Sequence, residues 1–218
     1  MQNIIFIAPP AAGKGTLSAM IEKKYNIPHI SIGQLFRDML AIENEETLKI
    51  KTIMEQGKMV DDEITNKLIE DRISKSDTAN GFILDGFPRD LNQAIELENI
   101  LKRLGKKQGK VIYMDIDKED ALKRILGRIV CPKCQRVYNT SNVNMRPKID
   151  SICDDCGTSL VVRGDDNAIS FGKRFDTYMK ETTPVIDYYR DRGILYSVKA
   201  TDEPTKTFEV IEEQLLND

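Results

Sequence analysis

The stretch Phe6-Ile7-Ala8-Pro9-Pro10-Ala11-Ala12-Gly13-Lys14-Gly15-Thr16 constrains this chain more than any other. It follows an apolar run, Ile4 to Ile7, that predicts a buried strand, and it leads into Leu17-Ser18-Ala19-Met20-Ile21, which predicts a helix. Strand, tight loop and helix with Gly-Lys at the join make a phosphate cradle. Backbone N–H groups and the positive helix end meet the anion, while Lys14 reaches the outer phosphates. An ordinary β-α turn could contain a lysine by coincidence, but placement between a strand and a helix favours nucleotide binding by Gly13, Lys14, Gly15 and Thr16. The pattern departs from the phosphate-loop form at its start, where Ala8 stands in place of the first glycine.

Further along, extended and helical patterns alternate. Ile27 to Ser31 is extended, and Ser31 or Gly33 opens a helix through Leu35, Phe36, Met39 and Leu40. Residues 43–59 are charged and broken by Gly57, which predicts helical packing at an edge. Asp61-Asp62-Glu63 starts a helix carrying Ile64, Leu68, Ile69 and Ile73. After Asn80-Gly81, the strand Phe82-Ile83-Leu84 ends at Asp85. A helix over Leu91 to Leu104, a strand over Val111 to Met114 and a helix from Asp117 towards Ile129 follow. Helix is expected again from about Asp166 to Arg192, then strand from Ile194 to Val198 and helix from Thr205 to Leu216. This alternation predicts an α/β core, a parallel sheet flanked by helices. A length of 218 residues suits one such domain with insertions.

Asp85 closes an apolar strand, the position of a carboxylate that organises Mg²⁺ beside bound phosphates. Six arginines stand where they can clamp anions: Arg37, Arg89, Arg124, Arg128, Arg163 and Arg174. Arg124 and Arg128, four apart, are expected on one helix face. Any one of them could be a solvated surface charge, but as a set they fit phosphoryl transfer, where catalysis consists of positioning and neutralising charge. An acceptor that is itself a phosphate needs no general base, consistent with a chain holding one histidine. His29 reads as a strand or edge residue rather than a catalyst. Cys131-Pro132-Lys133-Cys134 and Cys153-Asp154-Asp155-Cys156, separated by 18 residues, are two knuckles able to deliver four thiolates to one structural Zn²⁺. Residues from Val130 to Arg163 read as a small inserted module around that metal.

Taken together, these stretches resemble the bacterial adenylate kinase family in its long form with a zinc-binding lid. The matching segments are Gly13-Lys14-Gly15-Thr16, Asp85-Gly86-Phe87-Pro88-Arg89 with Gln93, Arg124 with Gly127-Arg128, and Arg163 to Arg174 around Asp165-Asp166-Asn167. The resemblance implies a P-loop kinase core over 1–30, 61–127 and 164–218, a helical AMP-binding insert over 31–60 and a zinc lid over 128–163. It implies reversible phosphoryl transfer from MgATP to AMP. Lys14, Arg124, Arg128, Arg163 and Arg174 would handle the donor and transferring phosphates. Arg37 and Arg89 would hold the AMP phosphate, and Arg89 also counts among the catalytic groups. Ile32, Lys58, Val60, Gly86, Gln93, Arg163 and Arg174 would complete the AMP site. Gln93 would read the base, and Asp85 would organise Mg²⁺ through its water shell. A lid that closes would exclude water that otherwise hydrolyses ATP. Departures from the family pattern are Ala8 and Ala11 for glycines in the loop, Ile32 for a threonine near the AMP base, Gln34 for an aspartate, and Gly172 for a longer side chain.

Two alternatives stand beside this one. One is a nucleoside monophosphate kinase for another acceptor, such as UMP or CMP. The other is a zinc-ribbon binding module whose phosphate loop is degenerate. The arginine set argues against the second, and Arg136, Lys148 and Tyr138 in the cysteine module are balanced by Asp150, Asp154 and Asp155. With a net charge of −3 there is no general basic field, so no nucleic-acid partner is expected. The N-terminus shows no leader pattern and no apolar run suits a membrane span. A cytoplasmic monomer is the expectation, with reduced cysteines holding metal.

Overall fold

The computed structural model describes residues 3–42 and 44–216. The ranges expected for the core and insert also take in Met1, Gln2, Glu43, Asn217 and Asp218, which lie outside the described residues. Seven strands occur among the described residues: β1 (Ile4–Ile7), β2 (His29–Ser31), β3 (Ile83–Asp85), β4 (Lys110–Asp115), β5 (Arg128–Val130), β6 (Val137–Asn139) and β7 (Leu195–Lys199). The helices are α1 (Lys14–Tyr25), α2 (Ile32–Met39), α3 (Glu45–Glu55), α4 (Asp62–Ile73), α5 (Leu91–Arg103), α6 (Lys118–Leu126), α7 (Ala168–Thr177), α8 (Thr183–Asp191) and α9 (Pro204–Leu216).

Five strands pair in parallel in the order β2-β3-β1-β4-β7, so the expected parallel sheet is present. β1 is buried along its whole length, and its alternate residues feed opposite faces. Ile5 and Ile7 join Leu84 and Val111 under residues of α2, α4, α5 and α8. Ile4 and Phe6 join Ile83, Ile112 and Met114 under α1, α6, α7 and α9. Buried aliphatic strands with helices over both faces are what an apolar run such as Ile4 to Ile7 requires.

Local chemistry explains most helix boundaries. Asn44 and Thr47 form a capping box on α3, Asp90 accepts from Gln93 N at the start of α5, and Asn167 accepts from Ser170 N at the start of α7. Two expectations are corrected. The helix opened by Asp117 ends at Leu126, because Gly127 caps it and Arg128 begins β5. Arg124 and Arg128 therefore do not share a helix face. The segment expected as one helix from Asp166 to Arg192 is α7 and α8 joined by a wider π turn over Tyr178–Thr182. That turn lets Phe171 and Phe175 pack on one side of the sheet, while Val185, Ile186 and Tyr189 pack on the other.

Between α6 and α7 lies a small unit with its own antiparallel pair, β5 with β6. Its core is only Cys131, Tyr138 and Cys153, with Ile129, Cys156 and Leu160 packed around them. So few apolar residues cannot stabilise a fold on their own.

Candidate active site

β1 lies between β3 and β4, so chain connections diverge to either side at its C-terminal end. In open parallel sheets, ligands bind at that switch point. The loop there ends at Gly13, which caps α1 with φ 101°, a left-handed conformation suited to glycine. The first N–H groups of α1 have no partner within the helix and end at this loop. Ala11 also adopts left-handed backbone, φ 62°, whereas Ala8 does not. Of the two alanines that replace loop glycines, only Ala11 is strained. Lys14 Nζ folds back to donate to the carbonyls of Ala8 and Pro9, 3.2 Å each, and lies 4.0 Å from Asp85 Oδ1.

Register sets Asp85 level with Phe6 of β1 and Ser31 of β2. Its carboxylate is mostly enclosed, with Lys14 on one side and His29 Nε2 at 3.4 Å on the other. Burial pushes this carboxyl up, but His29 and Lys14 outweigh burial and hold it at about 2. His29 is the edge-strand residue that the sequence suggested, yet its imidazole faces the site. An ionised carboxylate fixed at a strand end beside a phosphate loop fits a role on hydrated Mg²⁺.

The cationic groups lie close enough to feel one another's charge. Lys14 is pushed down to about 8, first by desolvation, which Asp85 opposes, and then by Arg89, Arg174 and Arg128. Arg163 is lowered to about 10 by desolvation and by Arg128 and Arg37. Arg37 is lowered by desolvation, against the opposing pull of Asp165, and by Arg128 and Arg174. These residues come from α1, α2, the segment before α5, β5, the segment before α7, and α7 itself, so the fold gathers what the sequence scatters. Two carboxylates hold part of the set. Arg128 Nε donates to Asp166 Oδ2 at 2.7 Å, and Arg174 Nη1 lies 3.0 Å from Asp165 Oδ2. Arg124 stands apart from this group: it donates to Ala12 O at 3.3 Å and to Asp202 Oδ1 at 3.0 Å.

Around Arg89, the residues expected to hold AMP come together unevenly. Gly86 has φ 80°, and a Cβ there would meet Ile32 Cγ2 at 3.1 Å and Arg89 Nη2 at 3.2 Å. Arg89 Nε donates to Gly86 O, and Thr182 from the π turn donates to Arg89 O at 2.6 Å. Ile32 and Gln93 are each 1% exposed. Gln93 Nε2 donates to Asp62 Oδ1 at 2.6 Å, and its Oε1 accepts from Arg89 N at 2.9 Å. Each end of that amide retains one further hydrogen-bonding position. Lys58 and Val60 line a groove of about 700 Å³ with Asp62 and Asp90. Asp62, Asp166, Asp202 and Thr182 bond to partners distant along the chain, so no local pattern marks what each of them holds.

The four cysteine sulfurs all lie within 4.8 Å of one another. Cys131 and Cys156 stand 3.4 Å apart, Cys134 and Cys153 3.5 Å, and Cys134 and Cys156 3.8 Å. Four thiolates about 2.3 Å from one tetrahedral Zn²⁺ lie about 3.8 Å apart, so this cage fits that ion. Tyr138 supports it, donating to Cys153 Sγ at 3.5 Å and accepting from Asp154 N at 2.7 Å. Arg136 ties the two knuckles, pairing with Asp155 and lying 3.6 Å from Asp154 Oδ2.

A glycine-capped phosphate loop at the switch point of a parallel sheet, with an ionised strand-end carboxylate and converging arginines, defines a P-loop nucleotide-binding protein. The adenylate kinase family model matches residues 6–194. The adenylate kinase of Fervidobacterium nodosum is 42% identical over 207 residues, covering 94% of each chain. That of Thermosipho africanus is 43% identical over 196 residues, 90% of this chain and 91% of its own. That of Caldanaerobacter subterraneus subsp. tengcongensis is 41% identical over 216 residues, 99% of this chain and 97% of its own. The chain belongs to the adenylate kinase family. No helix among the described residues is long and apolar enough to cross a membrane.

Proposed function

We propose that this chain transfers the terminal phosphoryl group of MgATP to AMP, reversibly, giving two ADP. The observation that carries the reading is the gathering of Lys14, Arg37, Arg128, Arg163 and Arg174, where burial first, and neighbouring arginines after it, hold Lys14, Arg37 and Arg163 below their ordinary values. Such crowding is costly without an anion and is relieved by polyphosphate. Gly13, Lys14, Gly15 and Thr16 cradle the donor phosphates, Arg124 and Arg128 close on them, and Arg163 and Arg174 neutralise the transferring group. Arg37 and Arg89 hold the acceptor phosphate in line with it.

In this reading, residues 31–60 form the AMP-binding insert, 128–163 the lid, and the remainder the core. Ile32, Lys58, Val60, Gly86 and Gln93 shape the acceptor site, with Gln93, held between Asp62 and Arg89, reading the adenine edge. When bound, Mg²⁺ would supply charge neutralisation on the nucleotide phosphates, and Asp85 would hold it through its water shell. Cys131, Cys134, Cys153 and Cys156 hold a structural zinc that stiffens a lid with almost no core of its own. The protein is read as a monomer, in the cytoplasm where its thiols stay reduced. Nucleic acid is not a partner: Arg136, the module's best-placed cation, is already paired with Asp154 and Asp155. A coupled assay for ADP from ATP plus AMP, with Lys14→Ala as control, tests the proposal. No ADP from the wild-type protein refutes it.

A further inference from the structure

Arg124 is tied differently from the other arginines. One arm of its guanidinium reaches Ala12 O in the phosphate loop, 3.3 Å away, and the other reaches Asp202 Oδ1, 3.0 Å away, in the segment between β7 and α9. Arg124 is one-fifth exposed and Asp202 more than four-fifths. The pair thus bridges from the rim of the phosphate loop to the protein surface. Asp202 is nonetheless held in place. Thr201 Oγ1 donates to Glu203 O at 3.0 Å, Glu203 N donates back to Thr201 Oγ1 at 3.3 Å, and Thr201 N donates to Thr207 Oγ1 at 3.3 Å. Asn142, in the zinc module, donates to the carbonyl of Asp202 at 2.8 Å. Asn139 of the same module donates to Arg124 O at 2.8 Å.

We propose that Asp202 is a positioning residue that acts as the resting counter-ion of Arg124, holding its guanidinium beside the donor site and opposing entry of the donor nucleotide. This inference rests on the kinase reading above. A polyphosphate settling into the cradle brings several negative charges towards Arg124. It either displaces the Asp202 carboxylate or leaves that carboxylate close to phosphate oxygens, and in both cases the anion at 202 works against it. The acceptor nucleotide meets Arg37 and Arg89 instead and is unaffected by this pair. Exposed ion pairs of this kind shift an equilibrium by about 1.5- to 5-fold and weaken as salt screens them.

The test compares wild type with Asp202→Asn, which keeps shape and hydrogen-bonding capacity but removes the charge. At low ionic strength the variant should show a KM for MgATP, and a MgATP dissociation constant by calorimetry, about 2–5-fold lower, with the KM for AMP unchanged. The difference should close at 0.5–1 M salt, where the Debye length falls to about 3–4 Å. A merely structural loss would not vanish with salt or spare AMP. An unchanged or raised KM for MgATP, or an equal shift for AMP, overturns the inference. Wild type that binds MgATP but forms no ADP would refute the kinase reading instead, and the two dissociation constants would still decide the role of Asp202.

Discussion

Substituting glycine at Ala11 should stabilise the protein, while the same change at Ala8 should destabilise it. Ala11 has φ 62°, where an L-residue's Cβ crowds its own backbone at about 1–2 kcal/mol. Glycine removes that cost but adds about 0.4–1 kcal/mol of freedom to the unfolded chain. The balance is a gain of about 0.5–1 kcal/mol for Ala11→Gly, or roughly 1–4 °C in Tm for a chain of this size. Ala8 is not left-handed, so Ala8→Gly relieves nothing and loses about 0.4–1 kcal/mol through the unfolded state. Urea unfolding of zinc-loaded protein, read as a midpoint shift at constant slope, measures both. ADP formation by Ala11→Gly should equal or exceed wild type, since the loop's backbone path is kept. If both variants shift in the same direction, or Ala11→Gly is the less stable, the loop does not hold Ala11 in the left-handed region and the argument fails.

Metal analysis should return about one zinc per chain, from the four-ligand count. Chelation or Cys153→Ser should raise amide exchange across residues 128–163 well before the sheet loosens, and uniform exchange would contradict a lid-specific staple. Lys14→Ala should abolish most turnover, whereas Arg89→Ala should raise the KM for AMP and slow the reaction as well; near-normal constants in both would remove the kinase assignment. Thr182→Val should cost about 1 kcal/mol by leaving Arg89 O without its donor, and should raise the KM for AMP more than that for ATP. AMP should have a higher kcat/KM than GMP, UMP and CMP despite Ile32, because a missing threonine hydroxyl forfeits only about 0.5–1.5 kcal/mol. A pyrimidine acceptor ahead of AMP would overturn that specificity while sparing the chemistry.

Much of this protein is written locally. Strand β1, the phosphate loop and α1 are consecutive, so their order of apolar residues, glycines and lysine specifies the cradle without help from elsewhere. The cysteine spacing places two ligands on each turn, and Asn44, Asp90 and Asn167 mark helix starts because a cap bonds to N–H groups two or three residues on. What tertiary structure alone decided are the partnerships between distant segments. Arg128 could be read as a helix neighbour of Arg124 until Gly127 ended α6 and turned it towards Asp166, 38 residues on. Gln93 could be read as open to a base, but Asp62, 31 residues earlier, already holds one end of its amide. His29 does sit on the edge strand that the sequence suggests, but only the parallel register of β2 with β3 brings its ring to Asp85. Asp202 carried no signal at all, being a surface acid whose meaning lies in an arginine 78 residues away. Local backbone preference depends on near neighbours and can be read along the chain. Charge pairing and desolvation depend on distance in space, which the packing of sheet and helices sets.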